Sequence, residues 1–317
     1  MIRVFYTHEN ELVWEKYPEK AVLDTNRKYL WIDLLHASKE EKDQVCSFFK
    51  VKLPTYKEAV EIESSSRYSE GSGSIKANSG FLREEKDLPK IHPVSFLLKE
   101  NVLFTVREVE LQSFAEVVKK IKVARQDFIR SGSQIWVLLL ETRIDLDADY
   151  IESLSRVTNV ISRKVQSLSD PEEKTLRKIA ELQENTILIR ESITDKQRLI
   201  SALMRSPFID KETGERLRVI MKDVMSLLQH TQFSFERLEY LQDTLMGLVN
   251  IEQNKIIKIF TVVSVIFMPP TLIASIYGMN FRVMPELSFS FGYPIAIVLM
   301  ICSSVLTLWY FKRKKWL

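Results

Sequence analysis

The chain has 317 residues, 27% of them charged, with 45 Lys and Arg against 42 Asp and Glu for a net charge of +3. That is length enough for two or three structural units and a sizeable core. So small a charge, with no basic stripe interleaved with aromatics, argues against nucleic acid as a partner. The two cysteines, Cys46 and Cys302, lie too far apart to suggest a disulfide framework or a metal-ligand spacing.

The opening Met1 to Leu12 carries Arg3, Glu9 and Glu11 and has no apolar run, so it does not read as a signal peptide. Four short runs rich in β-branched and aromatic residues follow: Ile2 to Tyr6, Tyr29 to Leu34, Val94 to Leu98 and Val102 to Val106. The last two are separated by the turn Lys99-Glu100-Asn101. Ser64 to Gly80 is rich in Ser and Gly and reads as a loop or hairpin. Gly71 and Gly73 complete no G-x-G-x-x-G pattern, and no Walker sequence follows them. Helical periodicity occupies Ser38 to Lys50 and Leu111 to Arg130. Residues 1–145 are therefore expected to form an α/β domain.

From about Gln134 to Leu248 the pattern is helical almost throughout. Asp170-Pro171 has the form of an N-cap followed by proline at the first helical position, and Arg205 to Gly214, with Pro207, is the clearest break. Beyond it Leu217, Ile220, Val224, Leu227, Leu228, Phe235, Leu238, Leu241, Leu245 and Leu248 keep an apolar face, with no strong breaker before Pro269. If the helix continues into the next segment it covers roughly 65 residues, or ~100 Å at 1.5 Å each. Residues 146–254 thus read as long helices and a stalk packed against copies of itself.

No charged residue occurs from Ile259 to Phe281 or from Leu287 to Phe311. Each run exceeds the ~20 residues that cross ~30 Å of hydrocarbon as a helix. Residues 255–317 are therefore expected to form two transmembrane helices, about 256–279 and 291–311, with a short outer loop and a basic tail. A hairpin puts both termini on one side. Lys255, Lys258 and the tail Lys312-Arg313-Lys314-Lys315 flank that face, and the positive-inside rule makes it cytoplasmic, as in a multi-pass protein of the cell (plasma or inner) membrane.

Within the first span, Thr261, Ser264, Met268, Thr271 and Ser275 follow alternating steps of three and four, which keeps them on one helix face. The same steps run backward through Ile257, Asn254, Asn250, Gly247 and Asp243. One face therefore passes from a carboxylate through two carboxamides to hydroxyls. Small and hydroxyl residues also line ordinary contacts between membrane helices, and the stripe within the span suits that role equally. Its continuation below the membrane favours a conduit, with apolar rings at Ile257 and Met268 able to gate by shedding water. Two spans cannot enclose a pore, so a pore requires an oligomer. Pro269-Pro270 reads as a tolerated kink.

The four histidines, His8, His36, His92 and His230, are scattered and form no H-E-x-x-H or triad-like pattern, so no enzyme is indicated. Asp145, Asp147 and Asp149 in Glu141 to Glu152 read as a solvated helix start rather than a metal cage. A membrane-anchored scaffold with a coiled-coil stalk is the alternative architecture, but it leaves the polar line through the span without a role.

Tyr277-Gly278-Met279-Asn280 closes the first span, and Met284-Pro285-Glu286-Leu287 follows in the loop. This arrangement resembles the CorA magnesium (and cobalt) transport family, known by a Gly-Met-Asn motif at this place. The layout of an α/β front, long helix, terminal hairpin and basic tail extends the resemblance over the whole chain. The resemblance implies a pentameric, funnel-shaped homo-oligomer with a cytosolic α/β domain and a pore lined by the first span. It implies that Gly278, Met279 and Asn280 form the outer mouth, with Asn280 meeting the ion. Asn254, Ile257, Met268 and Thr271 then line the pore, and Asp243 forms a cytosolic carboxylate ring, a second metal-facing position. It further implies regulatory Mg²⁺ between cytosolic domains, held by acidic residues that this sequence alone does not single out, and no organic cofactor.

Mg²⁺ releases its waters reluctantly and prefers octahedral oxygen coordination. A ring of neutral Asn280 carbonyls can accept hydrogen bonds from those waters without binding the ion too firmly to leave. Glu286 is placed to draw cations to the mouth, or to be a plain solvated loop charge. The expected function is passive, potential-driven Mg²⁺ influx gated by intracellular Mg²⁺. Co²⁺ and Ni²⁺ are the alternative cargoes.

Overall fold

The computed structural model describes residues 1–9, 11–17, 23–55, 58–59, 67–85, 89–123, 129–167, 173–280, 284–285 and 290–314. The strands are β1 (Ile2–His8), β2 (Glu11–Tyr17), β3 (Lys28–Leu35), β4 (Tyr68–Gly71), β5 (Ser74–Arg83), β6 (Lys90–Lys99) and β7 (Val102–Arg107). The helices are α1 (Lys39–Phe49), α2 (Gln112–Val123), α3 (Gly132–Ser167), α4 (Glu173–Leu203), α5 (Lys211–Tyr277) and α6 (Gly292–Arg313). An α/β domain, long helices and two helices long and apolar enough to cross a membrane are thus all present. The chain divides into two compact units, 1–166 with 174–241 and 242–317 with 167–173, and α5 contributes to both.

In the first unit the strands form one seven-stranded sheet in the order β2-β1-β3-β7-β6-β5-β4. Only β3 and β7 run parallel, and the other neighbours are antiparallel. Pro93 sits inside β6 opposite Gly80 of β5, while the pairing of β6 to β7 begins one residue later at Val94. The proline therefore stands where its missing N–H costs no ladder bond to β7. Helix α1 starts at a capping box: Ser38 Oγ accepts from the Glu41 amide, and the Glu41 carboxylate accepts from the Ser38 amide. Its far end closes on Lys50 in the left-handed conformation.

Aromatic packing fills the sheet's interior. Phe5 stacks on Trp31 at 4.4 Å between ring centroids, and Phe96 on Trp136 at 5.2 Å. Helix α3 enters at Gly132, where a Cβ would lie 2.5 Å from the Leu103 amide nitrogen and 2.7 Å from the Asn101 carbonyl oxygen. Only glycine lets the helix end approach the sheet backbone so closely.

Two buried charge networks tie elements together. Asp33 of β3 receives Arg107 Nε at 3.0 Å and Nη2 at 2.8 Å, together with the Thr105 hydroxyl, and both charged side chains are fully enclosed. The second network fastens α3 and α4 to β5. Arg143 donates to the Leu82 carbonyl and to Asp147, and Asp195 accepts from Ser79 Oγ and the Gly80 amide and pairs with Arg67. Lys196 donates to the Gly80 carbonyl and to Ser192. Burial lowers its pKa to about 8, against the opposing pull of Asp147 and Asp195.

Several sequence expectations need correction. The acidic stretch from Glu141 is no solvated helix start: it lies well inside α3, and Asp147 is wholly buried against Arg143, four residues earlier on the same helix face. The helix expected over Leu111 to Arg130 is α2, ending at Val123, and residues 124–128 lie outside the described set. The break at Arg205 to Gly214 is shorter than expected. Asp210 accepts from the Thr213 amide through Oδ1 and from its hydroxyl through Oδ2, so α5 begins at Lys211 and Gly214 is helical. Strand β2, with its charged Glu11, Glu15 and Lys16, was not expected at all. Of Ser64 to Gly80, the part from Tyr68 is the tight β4–β5 hairpin, turning on Ser72 and Gly73 at positive φ. Asp170-Pro171 lies outside the described residues.

Candidate functional site

The second unit is built on a different pattern. Helix α5 is continuous over 67 residues and keeps Pro269 and Pro270 inside it. Each proline removes one N–H from the helix ladder, so carbonyls one turn earlier lose their usual donor. A hydroxyl supplies an added donor at the adjacent Phe267 carbonyl, which Thr271 Oγ1 reaches at 2.7 Å. Thr261 Oγ1 does the same to the Ile257 carbonyl at 2.8 Å. Both hydroxyl protons point along the helix, leaving oxygen lone pairs free to accept.

The continuous helix places Asp243, Gly247, Asn250, Asn254, Ile257, Thr261, Ser264, Met268, Thr271 and Ser275 on one slowly turning face. Every one of them is exposed on the single chain, Ile257 at 61% and Met268 at 66%. Gly247 has nothing within 4 Å of where a Cβ would stand, so its small size answers no contact made by this chain. By contrast Leu238, Leu241 and Leu245 on the preceding turns are buried. Exposed along its length, with only the Thr261 and Thr271 hydroxyl protons turned back to the helix, this polar line is open to water, ions or other copies.

At its C-terminus α5 closes at Gly278, whose amide reaches the Ala274 carbonyl at 3.0 Å. A Cβ there would meet that same carbonyl oxygen at 3.3 Å, tighter than a side chain prefers, which favours glycine. Met279 and Asn280 follow outside the helix and are exposed. Met284 and Pro285 are described, whereas Glu286 is not, nor is Lys315 of the basic tail. Helix α6 carries Lys312 and Arg313 in its last turn, with the guanidinium over the Trp309 ring at 5.4 Å from its centroid.

Among the described residues, no three His, Cys, Asp or Glu side chains converge on a position that could hold a metal ion. The three aspartates of α3 do not gather. Asp147 is buried with Arg143, while Asp145 and Asp149 are exposed. Of the histidines, His8, His36 and His230 are exposed, and His92 faces Glu85 at 3.1 Å. The polar face of α5 was legible in the sequence because its spacing is regular and its upper part uncharged. The Asp33–Arg107 and Lys196–Asp195 networks were not, because their partners lie far apart in the chain.

Comparison with known proteins gives consistent matches along the full length. The family model described as "CorA-like Mg2+ transporter protein" matches residues 26–313. A magnesium transport protein CorA of Wolinella succinogenes is 39% identical over 323 aligned positions, covering all of both chains. One from Campylobacter jejuni is 36% identical, again over all of both chains. Among solved structures, the complete CorA magnesium transporter of Methanocaldococcus jannaschii superposes with a TM-score of 0.85. It covers 100% of this chain and 99% of that one at 20% identity, a likeness of fold.

Proposed function

The chain belongs to the CorA family of Mg²⁺ transporters, and from that premise we propose that it is one subunit of a passive channel for Mg²⁺ influx. The observation that carries this reading is the exposed polar line on α5, running from Asp243 to Ser275 and ending beneath Gly278, Met279 and Asn280.

Five copies around an axis, each presenting this face inward, would close a narrow polar conduit. Asn280 would ring the outer mouth and accept hydrogen bonds from the waters of a still-hydrated Mg²⁺, while Glu286 draws cations toward it. The hydroxyl oxygens of Thr261, Ser264, Thr271 and Ser275 would continue the acceptor line, then Asn254 and Asn250, with Asp243 as a carboxylate ring at the inner end. Ile257 and Met268 would form the apolar constrictions that dewet to close the path. The N-terminal unit and the basic tail then lie in the cytoplasm.

A passive path suffices. A divalent cation gains ~4.6 kcal/mol per 100 mV of inside-negative potential, twice the ~2.3 for one charge, or roughly a thousandfold accumulation. Such a path must also close when the ion is plentiful. One chain alone offers no complete ligand set for a regulatory Mg²⁺ among its described residues, so control by internal Mg²⁺ would require carboxylates from adjacent copies.

The test is dye-reported uptake into liposomes holding the purified oligomer under an imposed potential, with Mg²⁺, Co²⁺ and Ni²⁺ in parallel. Mg²⁺ uptake that rises with potential and falls as internal Mg²⁺ rises is expected. Uptake indifferent to potential would remove the passive channel, and Co²⁺ or Ni²⁺ carried in preference to Mg²⁺ would reassign the cargo.

A further inference from the structure

A cavity of about 370 Å³ opens on the first unit where the end of α1 meets the edge of the sheet, lined by Lys50, Lys52, Lys76 and Lys99 with Glu70, Val51 and Leu97. The strand register explains the convergence. Ser69 of β4, Lys76 of β5 and Leu97 of β6 are successive register partners, and Ser74 opposite Lys99 lies two residues further on the same face. Lys50 and Lys52 reach this face because α1 stops at Lys50, in the left-handed conformation.

The four lysines outnumber the three acids beside them, Glu58, Glu70 and Glu100. Lys99 lies 3.7 Å from Glu100, itself a highly exposed turn residue, and its ammonium donates to the Lys50 carbonyl at 3.0 Å. Among the described residues, Lys50, Lys52 and Lys76 form no ion pair. The acids are themselves partly engaged. Glu70, which also lines the pocket, accepts from the Tyr68 hydroxyl. Glu58 accepts from the Thr55 amide at 2.7 Å, and that bond together with nearby Lys52 and Lys76 holds its carboxyl below the ordinary glutamate range. An excess of like charge in one concavity repels itself, and an anion of several charges relieves that repulsion.

We propose that this pocket binds a polyphosphate anion, either inorganic or carried by a nucleotide. Lysine ammoniums act as point-charge phosphate binders. The hydroxyls of Ser69 and Ser72 add donors at the rim, beside Ser74, whose own proton goes to the Gly71 carbonyl, and Val51 and Leu97 give an apolar floor against which a base can rest. Chelation by Mg²⁺ lowers the charge of such a ligand, so the metal-free form binds more tightly. The site is independent of the transport reading and lies wholly within the first unit.

Titration calorimetry on the full-length protein in detergent tests it, with inorganic tripolyphosphate and ATP as probes in Mg²⁺-free buffer. Saturable binding that weakens as salt rises is expected. The double variant Lys52→Ala, Lys76→Ala should weaken it by at least about tenfold, two charge-assisted contacts being lost. Lys178→Ala, on α4, should change nothing. Both pocket lysines reach solvent, so the double variant should melt as the parent does, which a thermal scan checks. Tighter binding of ATP than of tripolyphosphate assigns the site to a nucleotide, and equal binding assigns it to the phosphate chain alone. No saturable binding of either probe, or binding unchanged in the double variant, overturns the site.

Discussion

Trp31, Trp136, Phe5 and Phe96 in the first unit are wholly enclosed by their own chain, whereas Phe260, Phe267 and Trp309 in the second stand 68%, 63% and 58% exposed. Polar and charged groups show the same contrast. Asp33, Arg107, Asp147 and Lys196 are buried and partnered within the first unit, while Asp243, Asn250 and Asn254 lie open on α5. In one unit residue identities answer to contacts the chain makes with itself. In the other they answer to surroundings that a single chain does not supply: hydrocarbon suits the apolar faces, and the function proposed above assigns neighbouring copies and hydrated ions to the polar one.

Substitutions should therefore divide by unit, disturbing folding in the first and transport in the second. The largest folding effect is expected at Asp33→Ala, which leaves Arg107 buried without its partner and should cost ~3–5 kcal/mol, read as a lowered denaturant midpoint. Gly132→Ala comes next, since its Cβ would lie within 3 Å of three backbone atoms. A loss of ~2–4 kcal/mol, seen as a melting temperature several degrees lower, would confirm that backbone approach fixes that glycine.

Lys196 gives a pH signature. Its folded pKa is lowered, so between about 8 and the ordinary lysine range the unfolded chain holds a proton that the folded chain does not. Stability then rises with pH across that window, and below it both states are protonated and the slope vanishes. Melting of wild type against Lys196→Met from pH 7 to 10 should show a slope that the variant lacks. Equal slopes would mean the ammonium is not held as buried as its surroundings indicate. The smallest effect belongs to Arg156→Ala, an exposed i,i+4 partner of Glu152, with a change of no more than ~0.5 kcal/mol.

Much of this division is legible in the sequence, and for physical reasons. A helix in hydrocarbon must satisfy its backbone internally, so an uncharged run of sufficient length announces itself. A face repeated every three and four residues survives any change in neighbours. The strand pair Val94 to Leu98 and Val102 to Val106 was equally plain, its turn residues Glu100 and Asn101 both adopting positive φ. Strand β2 was missed because an edge strand can carry charges such as Glu15, whose carboxylate accepts from Tyr6 and pairs with Arg27. Asp147 was read as solvated because its pairing with Arg143, four residues earlier, looks like any surface pair in sequence. What marks the pair as enclosed is Arg143 reaching the Leu82 carbonyl of β5 and Lys196 of α4 lying near enough to feel Asp147. Burial of a charge is decided by partners distant in sequence, and periodicity does not record them.

The account turns on Asn280. Potential-driven Mg²⁺ uptake into liposomes should fall by at least about tenfold in Asn280→Ala, if loss of a ring of carboxamides removes even ~1.4 kcal/mol of ion stabilisation at the mouth. The oligomer should remain intact by size-exclusion chromatography, and Val263→Leu, exposed on α5 but off the polar line, should transport as the parent does. An Asn280→Ala protein that carries Mg²⁺ as fast and as selectively as wild type would contradict the claim that this carboxamide meets the ion.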